Sequence, residues 1–418
     1  VILWAAGAAR CDHPPHPRCP VDGSPPAGDW RGWLQEALAA VPPKRRRRLR
    51  PLAPAGTAQL TAADGPPLLD LASNDYLGLS RHPSVLAAAT AELAASGLGA
   101  GASRLVSGSR PVHQQLEQAL AAWLGRETVL LFPSGFQANL AAVAALADRH
   151  SLVLADRLIH HSLLVGVRAS GARLQRFRHN DPHDLARRLA AARAIRPDQR
   201  LLVLCESLYS MEGTTAPVAA LAALCQQHGA ALLVDEAHAL GLLGPDGRGL
   251  AHGQPGVALV SGTFGKAFGS GGAFLAADGL LGDWLLQASG AFRYTTALAP
   301  PLAAGALAAL ALLDGPDAAE RRRQLLARAL RWRGALVADG WPRPPGEGPI
   351  LPLLLGDDGR ALALQQQLER SGLLTVAIRP PTVPAGSSRL RLVLRHDLPT
   401  GTLPLLRAAL GGDSPRSV

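Results

Sequence analysis

An α/β protein built on a mostly parallel sheet is the fold class that this sequence predicts, and three observations lead there. From about residue 110, short continuous apolar runs alternate with longer helical stretches. The runs are apolar at every position instead of every second one, the pattern of strands covered on both faces. The unusual residues cluster just after the carboxyl ends of those runs, where ligands sit in such sheets.

The elements follow in order. Val129-Leu130-Leu131-Phe132 is a strand run that precedes a helix over Ala138 to Ala147. Leu152-Val153-Leu154 precedes a helix beginning near His161. Leu201 to Leu204 precedes a helix over Pro217 to His228, and Ala231-Leu232-Leu233-Val234 follows directly. Strands and helices of these lengths form βαβ units. Pro316 to Ala338 reads as a long Arg-rich amphipathic helix whose proline falls in the first turn, where its missing N–H costs nothing. It bridges to a smaller unit: a strand (Ile350 to Leu355), a helix (Arg360 to Ser371), two strands (Leu373 to Ile378 and Arg389 to Leu394) and a terminal helix. The expected division is a disordered or mis-called extension over 1–28, an N-terminal segment over 29–72 beside the small domain, a large domain over 73–315 and a small domain over 316–418. The extension begins on valine and is rich in proline, so no fold is assigned to it.

Composition narrows the function. A chain of 418 residues, 48% of them hydrophobic, has ample material for a core. Its apolar runs are broken by Gly, Arg or Asp well before a membrane span's length, and Val1-Ile2-Leu3-Trp4 lacks the basic start of a signal peptide. The four cysteines (Cys11, Cys19, Cys205 and Cys225) form no CxxC pair and no zinc spacing, so reduced thiols, a cytoplasmic location and no metal are expected. A net charge of +10 opens three options: nucleic acid, acidic membrane or anionic substrates. The charge is spread along the chain, only Lys44 to Arg50 forms a block, and no aromatic-basic recognition module is visible. Neither nucleic acid nor membrane is therefore the expected partner, although a basic binding protein with decayed catalysis is the alternative from another class.

Lysine usage points to chemistry. Of 42 basic side chains only Lys44 and Lys266 are lysines. Arginine replaces lysine freely on a solvated surface, but it stays charged and cannot attack a carbonyl. Lys44 lies in the charge run, whereas Lys266 lies in the glycine-rich Ser261-Gly262-Thr263-Phe264-Gly265-Lys266 with no neighbouring charge. It is either a covalent catalyst or a surface lysine in a loop. Asp235 ends a strand about thirty residues earlier, where a carboxylate faces the ligand crevice or merely caps a loop. An Asp that keeps a pyridine nitrogen protonated and a Lys that forms a Schiff base are the two groups a pyridoxal phosphate enzyme needs. Ser134-Gly135-Phe136 opens a helix after a strand, as a phosphate site does, and Thr263 offers a further phosphate hydrogen bond. His160 and His161 follow the strand-end Asp156, placed to stack on a flat ring or to serve as loop caps.

Together with these groups stand Ser73-Asn74-Asp75-Tyr76-Leu77-Gly78, Gly101-Ala102-Ser103-Arg104, Val112-His113, Phe132-Pro133-Ser134-Gly135, Ser210-Met211-Glu212-Gly213, Asp235-Glu236-Ala237-His238 and Thr263-Phe264-Gly265-Lys266. On these motifs the chain resembles the α-oxoamine synthases, pyridoxal-phosphate enzymes of fold type I, over about residues 30 to 410. The resemblance implies a large domain with a mostly parallel seven-stranded sheet flanked by helices and a smaller α+β domain. It implies Lys266 as the covalent anchor of pyridoxal 5'-phosphate and shuttle of the Cα proton, Asp235 as the partner of the ring nitrogen, and His238 and Ser210 on the phenolic oxygen. His160 would stack on the ring, and Gly135, Phe136 and Thr263 would hold ring and phosphate. Thr295 and Thr296 would reach the phosphate of a partner subunit, which implies a homodimer. Asn74 and Arg391 would bind the amino-acid carboxylate, Glu206 would lie near the acyl group, and Arg48 and Thr382 would bind substrate, with Arg47 a rival for Arg48. The run Ala377 to Gly386 implies the branch that joins L-alanine to a pimeloyl thioester, on CoA or an acyl-carrier protein, in biotin synthesis. Glycine C-acetyltransferase, 5-aminolevulinate synthase and serine palmitoyltransferase are the sister activities.

Overall fold

The computed structural model describes residues 30–63 and 65–411, so the expectation for residues 1–28 lies outside the described residues. The chain enters through α1 (Trp30–Ala39) and a small meander of β1 (Ala53–Gly56), β2 (Gln59–Thr61) and β3 (Leu68–Asp70). α2 (Pro83–Ser96) and α3 (Pro111–Leu124) follow, each with a proline in its first turn.

The large sheet is then laid down as β4 (Thr128–Phe132), α4 (Gly135–Leu146), β5 (Leu152–Asp156), α5 (His161–Ser170), β6 (Arg173–Phe177), α6 (Pro182–Ile195), β7 (Leu201–Glu206), α7 (Val218–Gln227), β8 (Ala231–Asp235), β9 (Leu259–Thr263) and β10 (Ala273–Ala277). Its order is β4-β10-β9-β8-β7-β5-β6. Only β10 is reversed, running antiparallel to both β4 and β9. The expected seven-stranded, mostly parallel sheet is present. Successive residues of one strand enter different cores. Leu154, Val203 and Leu232 join the cluster on one face, and Val153, Leu202 and Leu233 join the cluster on the other. Two-sided burial is the reason these strands are apolar at every position.

The chain continues through α8 (Gly279–Ala288), α9 (Gly290–Arg293), α10 (Pro300–Asp314) and α11 (Pro316–Ala338). α10 and α11 meet at 79°, and no single helix among the described residues is long and apolar enough to cross a membrane. The small domain adds β11 (Ile350–Gly356), α12 (Asp358–Arg370), β12 (Leu373–Leu374), β13 (Val376–Ile378), β14 (Ser388–Val393) and α13 (Thr402–Leu410). The run Leu373 to Ile378 is not one strand. Leu373 and Leu374 pair in parallel with Leu69 and Asp70 of β3, whereas Val376 to Ile378 pair with β14. Apolar sequence marks the run as extended but does not say which sheet each half joins.

An ionic hub fixes the N-terminal segment to this domain. Arg395 bonds Asp70 at 3.1 Å, Asp75 at 3.3 Å and Asp397 at 2.8 Å. Asp70, fully buried, also accepts the N–H groups of Ala72 and Ser73, so the loop carrying Asn74 is held at both ends. Replacing Arg395 by Met strands a buried carboxylate and is expected to destabilise the protein by about 3–5 kcal/mol. Urea unfolding checks this: the midpoint falls in Arg395→Met and stays in place in Arg407→Met, whose ion pair is at the surface.

Candidate active site

Three adjacent strands deliver the chemistry. β7 and β8 end in register, Glu206 opposite Asp235, and β9 lies beside β8 with Lys266 three residues past its end. Glu206 and Asp235 are both buried. Asp235 Oδ1 accepts the Ala237 N–H at 2.9 Å, and Oδ2 accepts Asn139 Nδ2 at 2.7 Å. Glu206 Oε1 has no hydrogen-bond partner. Desolvation, followed by the nearby Asp235 carboxylate, pushes the Glu206 carboxyl well above the usual range. Desolvation also brings the Lys266 amine down to about 8, against the opposing pull of Asp235 and Glu206. A half-neutral amine at mild pH is a nucleophile.

Two imidazoles flank this group. The Asn139 amide donates to Asp235 and also to Ser162 Oγ at 2.9 Å. Ser162 Oγ lies 2.7 Å from His160 Nδ1, which also accepts the Ser162 N–H. With its hydroxyl donating to Nδ1, the neutral ring of His160 carries its proton on Nε2. Burial lowers the His160 value, which favours that neutral ring. Tyr76 OH lies 2.6 Å from His238 Nδ1. Burial raises the phenol to about 12 and drives His238 well below its ordinary value, so the two meet as neutral partners.

Arg391, from β14, enters from the small domain. Its Nε donates to Ser210 O at 2.5 Å and its Nη2 to Asn74 Oδ1 at 2.9 Å. Ser134 caps α4 through Gln137 N, and Gly135 and Phe136 open the helix, leaving first-turn N–H groups without carbonyl partners inside it. An added Cβ on Gly135 would lie 3.7 Å from Thr263. The Thr263 hydroxyl donates to Gly272 O at 3.0 Å. These residues therefore gather at one pocket. Elsewhere, Thr296 pairs with Ser103 beside Thr295. Arg47 bonds the carbonyls of Arg379 and Pro380, two residues short of the exposed Thr382, while Arg48 is exposed.

An 8-amino-7-oxononanoate synthase from Acidithiobacillus ferrooxidans is 45% identical over 369 residues, which span 87% of this chain and 93% of that protein. The chain belongs to the 8-amino-7-oxononanoate synthase family. The broader aminotransferase class I and II profile matches residues 66–404. Among solved structures, serine palmitoyltransferase from S. paucimobilis, with a bound adduct of PLP and myriocin, is similar at TM-score 0.82 and 29% identity, covering 87% of this chain and 92% of that one. An 8-amino-7-oxononanoate synthase from Francisella tularensis is similar at TM-score 0.68 and 26% identity, covering 82% and 96%.

Pyridoxal phosphate fits the donor set of this family member. The pocket presents an amine with a value of about 8, a buried carboxylate for a cationic nitrogen, an unpaired Glu206 oxygen and the start of α4. Asn139, Ser162 and Tyr76 are the site residues to which no role was assigned from sequence. Tyr76 lies in a motif, but nothing in its spacing indicates a partner 162 residues away.

Capture of a carbonyl needs the neutral amine, so it must be suppressed below the Lys266 value and rise through it. Covalent capture of an aromatic aldehyde by the cofactor-free protein is expected to reach half its maximal rate near pH 8. A half-rise near the ordinary lysine value of 10.5 would contradict this placement of the amine.

Proposed function

We propose that this chain condenses L-alanine with a pimeloyl thioester, giving 8-amino-7-oxononanoate, carbon dioxide and the free thiol carrier, as a cytoplasmic homodimer using pyridoxal 5'-phosphate. The observation that carries the chemistry is the convergence of Lys266, Asp235 and Arg391 on one pocket. The 45% identity to the Acidithiobacillus enzyme supports alanine and pimeloyl as substrates.

When bound, the cofactor supplies a cationic ring that draws electron density from the carbon next to the amino group. Asp235 holds the ring nitrogen protonated, and Asn139 keeps that carboxylate aimed. Lys266 anchors the cofactor, and its neutral amine removes the proton from alanine Cα and later returns one, a general-base role worth about 10²–10⁴-fold in rate. Arg391 and Asn74 hold the alanine carboxylate. His160 covers the ring and excludes water, and His238, beside the Ser210 hydroxyl, hydrogen-bonds the phenolic oxygen. Gly135 and Phe136 offer N–H groups to the phosphate, with Thr263 beside them. Thr295 and Thr296 serve the phosphate of the partner subunit. Glu206 lies on the acyl side, and Thr382 with Arg48 lines the path of the acyl chain.

A serine palmitoyltransferase activity is the second reading, favoured by the higher TM-score of that neighbour, 0.82 against 0.68. Backbone likeness reports the shared fold, whereas substrate choice depends on pocket side chains, which sequence identity tracks more directly. The identity of 45% to the synthase exceeds the 29% to the palmitoyltransferase.

Product analysis of the loaded enzyme decides between them. Alanine with pimeloyl thioester is expected to give the amino ketone and carbon dioxide, with far slower turnover of glycine–acetyl and serine–palmitoyl pairs. Faster turnover of either pair would reassign the substrates. Lys266→Ala and Lys266→Arg are both expected to abolish turnover, and an active arginine variant would remove the lysine from its role.

A further inference from the structure

Two arginines of one strand reach from the small domain into the same loop of the large one. β14 is the central strand of its sheet, between β11 and β13. Alternation puts Arg389 and Arg391 on one face and the fully buried Leu390 and Leu392 on the other. The two guanidinium groups hold three consecutive residues. Arg391 Nε donates to Ser210 O at 2.5 Å, and Arg389 Nη1 donates to Met211 O at 3.1 Å and to Glu212 Oε1 at 3.2 Å. Both arginines are less than a tenth exposed, so each charge has lost most of its water.

Their neutralisation differs. Arg389 has a carboxylate, Glu212, whereas Arg391 has the neutral Ser210 carbonyl, Asn74 amide oxygen and Tyr76 hydroxyl. A desolvated cation with neutral partners alone is costly and is answered by an incoming anion. Were Glu212 absent, β14 would present two such cations to one carboxylate. The far side of the same loop is also gripped. An added Cβ on Gly213 would meet Ile350 O at 2.5 Å, and one on Gly346 would collide with Gly213 O. The buried Arg333 organises that second jaw by donating to Pro345 O at 3.1 Å and Ile350 O at 3.0 Å.

We propose that the Arg389–Glu212 pair is a latch that seats the loop 210–212 on β14 and leaves Arg391 as the one guanidinium offered to the amino-acid carboxylate. It rests on the reading of Arg391 as the carboxylate-binding residue. Arg389 and Glu212 touch no substrate and are positioning residues. Loss of the latch lets the loop and Arg391 shift together, so the amino acid binds less well, while Lys266 and Asp235, carried by other elements, keep their places.

The latch is read by titrating alanine into the cofactor-loaded protein without acyl donor and following the cofactor's absorbance. Glu212→Gln and Arg389→Gln are each expected to weaken alanine binding about tenfold, raising KM for alanine while kcat stays within about twofold. The double variant is expected to lose no more than the worse single variant, since one coupled pair is being removed. Arg389→Lys, which retains the charge, is expected to recover most of the affinity. Unchanged alanine affinity in the loaded Gln variants, or losses that add in the double variant, would overturn the latch. Arg391→Gln separates the two readings. Retained affinity there overturns the carboxylate assignment and the latch with it, whereas lost affinity there with unchanged affinity in the other variants overturns the latch alone.

Discussion

Two buried carboxylates ending neighbouring parallel strands in register set the electrostatic demand that the rest of this structure meets. Glu206 and Asp235 are cross-strand neighbours at the carboxyl ends of two interior strands. Like charges at that separation in a desolvated place cannot both stand unanswered. The protein treats them unequally. Asp235 receives two hydrogen bonds, from Ala237 N and Asn139, whereas Glu206 is left with an unpaired oxygen and a carboxyl that burial pushes well above the usual range. The two carboxylates are thereby made chemically unlike.

The remaining groups follow from that asymmetry. Lys266 is drawn toward the charged member, yet desolvation outweighs the attraction and leaves the amine near 8. Asn139 links the same carboxylate to Ser162 and so to the tautomer of His160. Tyr76 in turn holds the ring of His238 through Nδ1. Arg391 joins this group from the small domain, so its placement depends on how β14 is seated against the loops that carry Ser210 and Asn74. The hub around Arg395 matters for the same reason, because it holds the loop that carries Asn74.

Much of this was legible in the sequence because burial leaves a compositional trace. Strands covered on both faces must be apolar throughout, and α11 runs from Pro316 to Ala338 as its proline and periodicity imply. Lys266 was legible because a chain that writes arginine nearly everywhere retained a lysine in an uncharged, glycine-rich turn. Pairings between distant residues left no such trace. The division of Leu373 to Ile378 between two sheets depends on β3, some 300 residues earlier in the chain. By contrast, the start of α4 at Gly135 was legible in Ser134-Gly135-Phe136, because the Ser134 hydroxyl satisfies Gln137 N and allows glycine into the first turn. Of the rivals Arg47 and Arg48, Arg47 reaches the Arg379 and Pro380 carbonyls, more than 300 residues away in the chain, a pairing that local sequence does not encode.

The central claim is that Asp235, aimed by Asn139, holds a pyridine nitrogen in its protonated form inside this pocket. The most direct measurement is the ¹⁵N chemical shift of ring-labelled pyridoxal phosphate bound to the protein. The account predicts the shift of a protonated pyridinium in the native protein and its loss in Asp235→Asn. An unprotonated ring nitrogen in the native protein would contradict it.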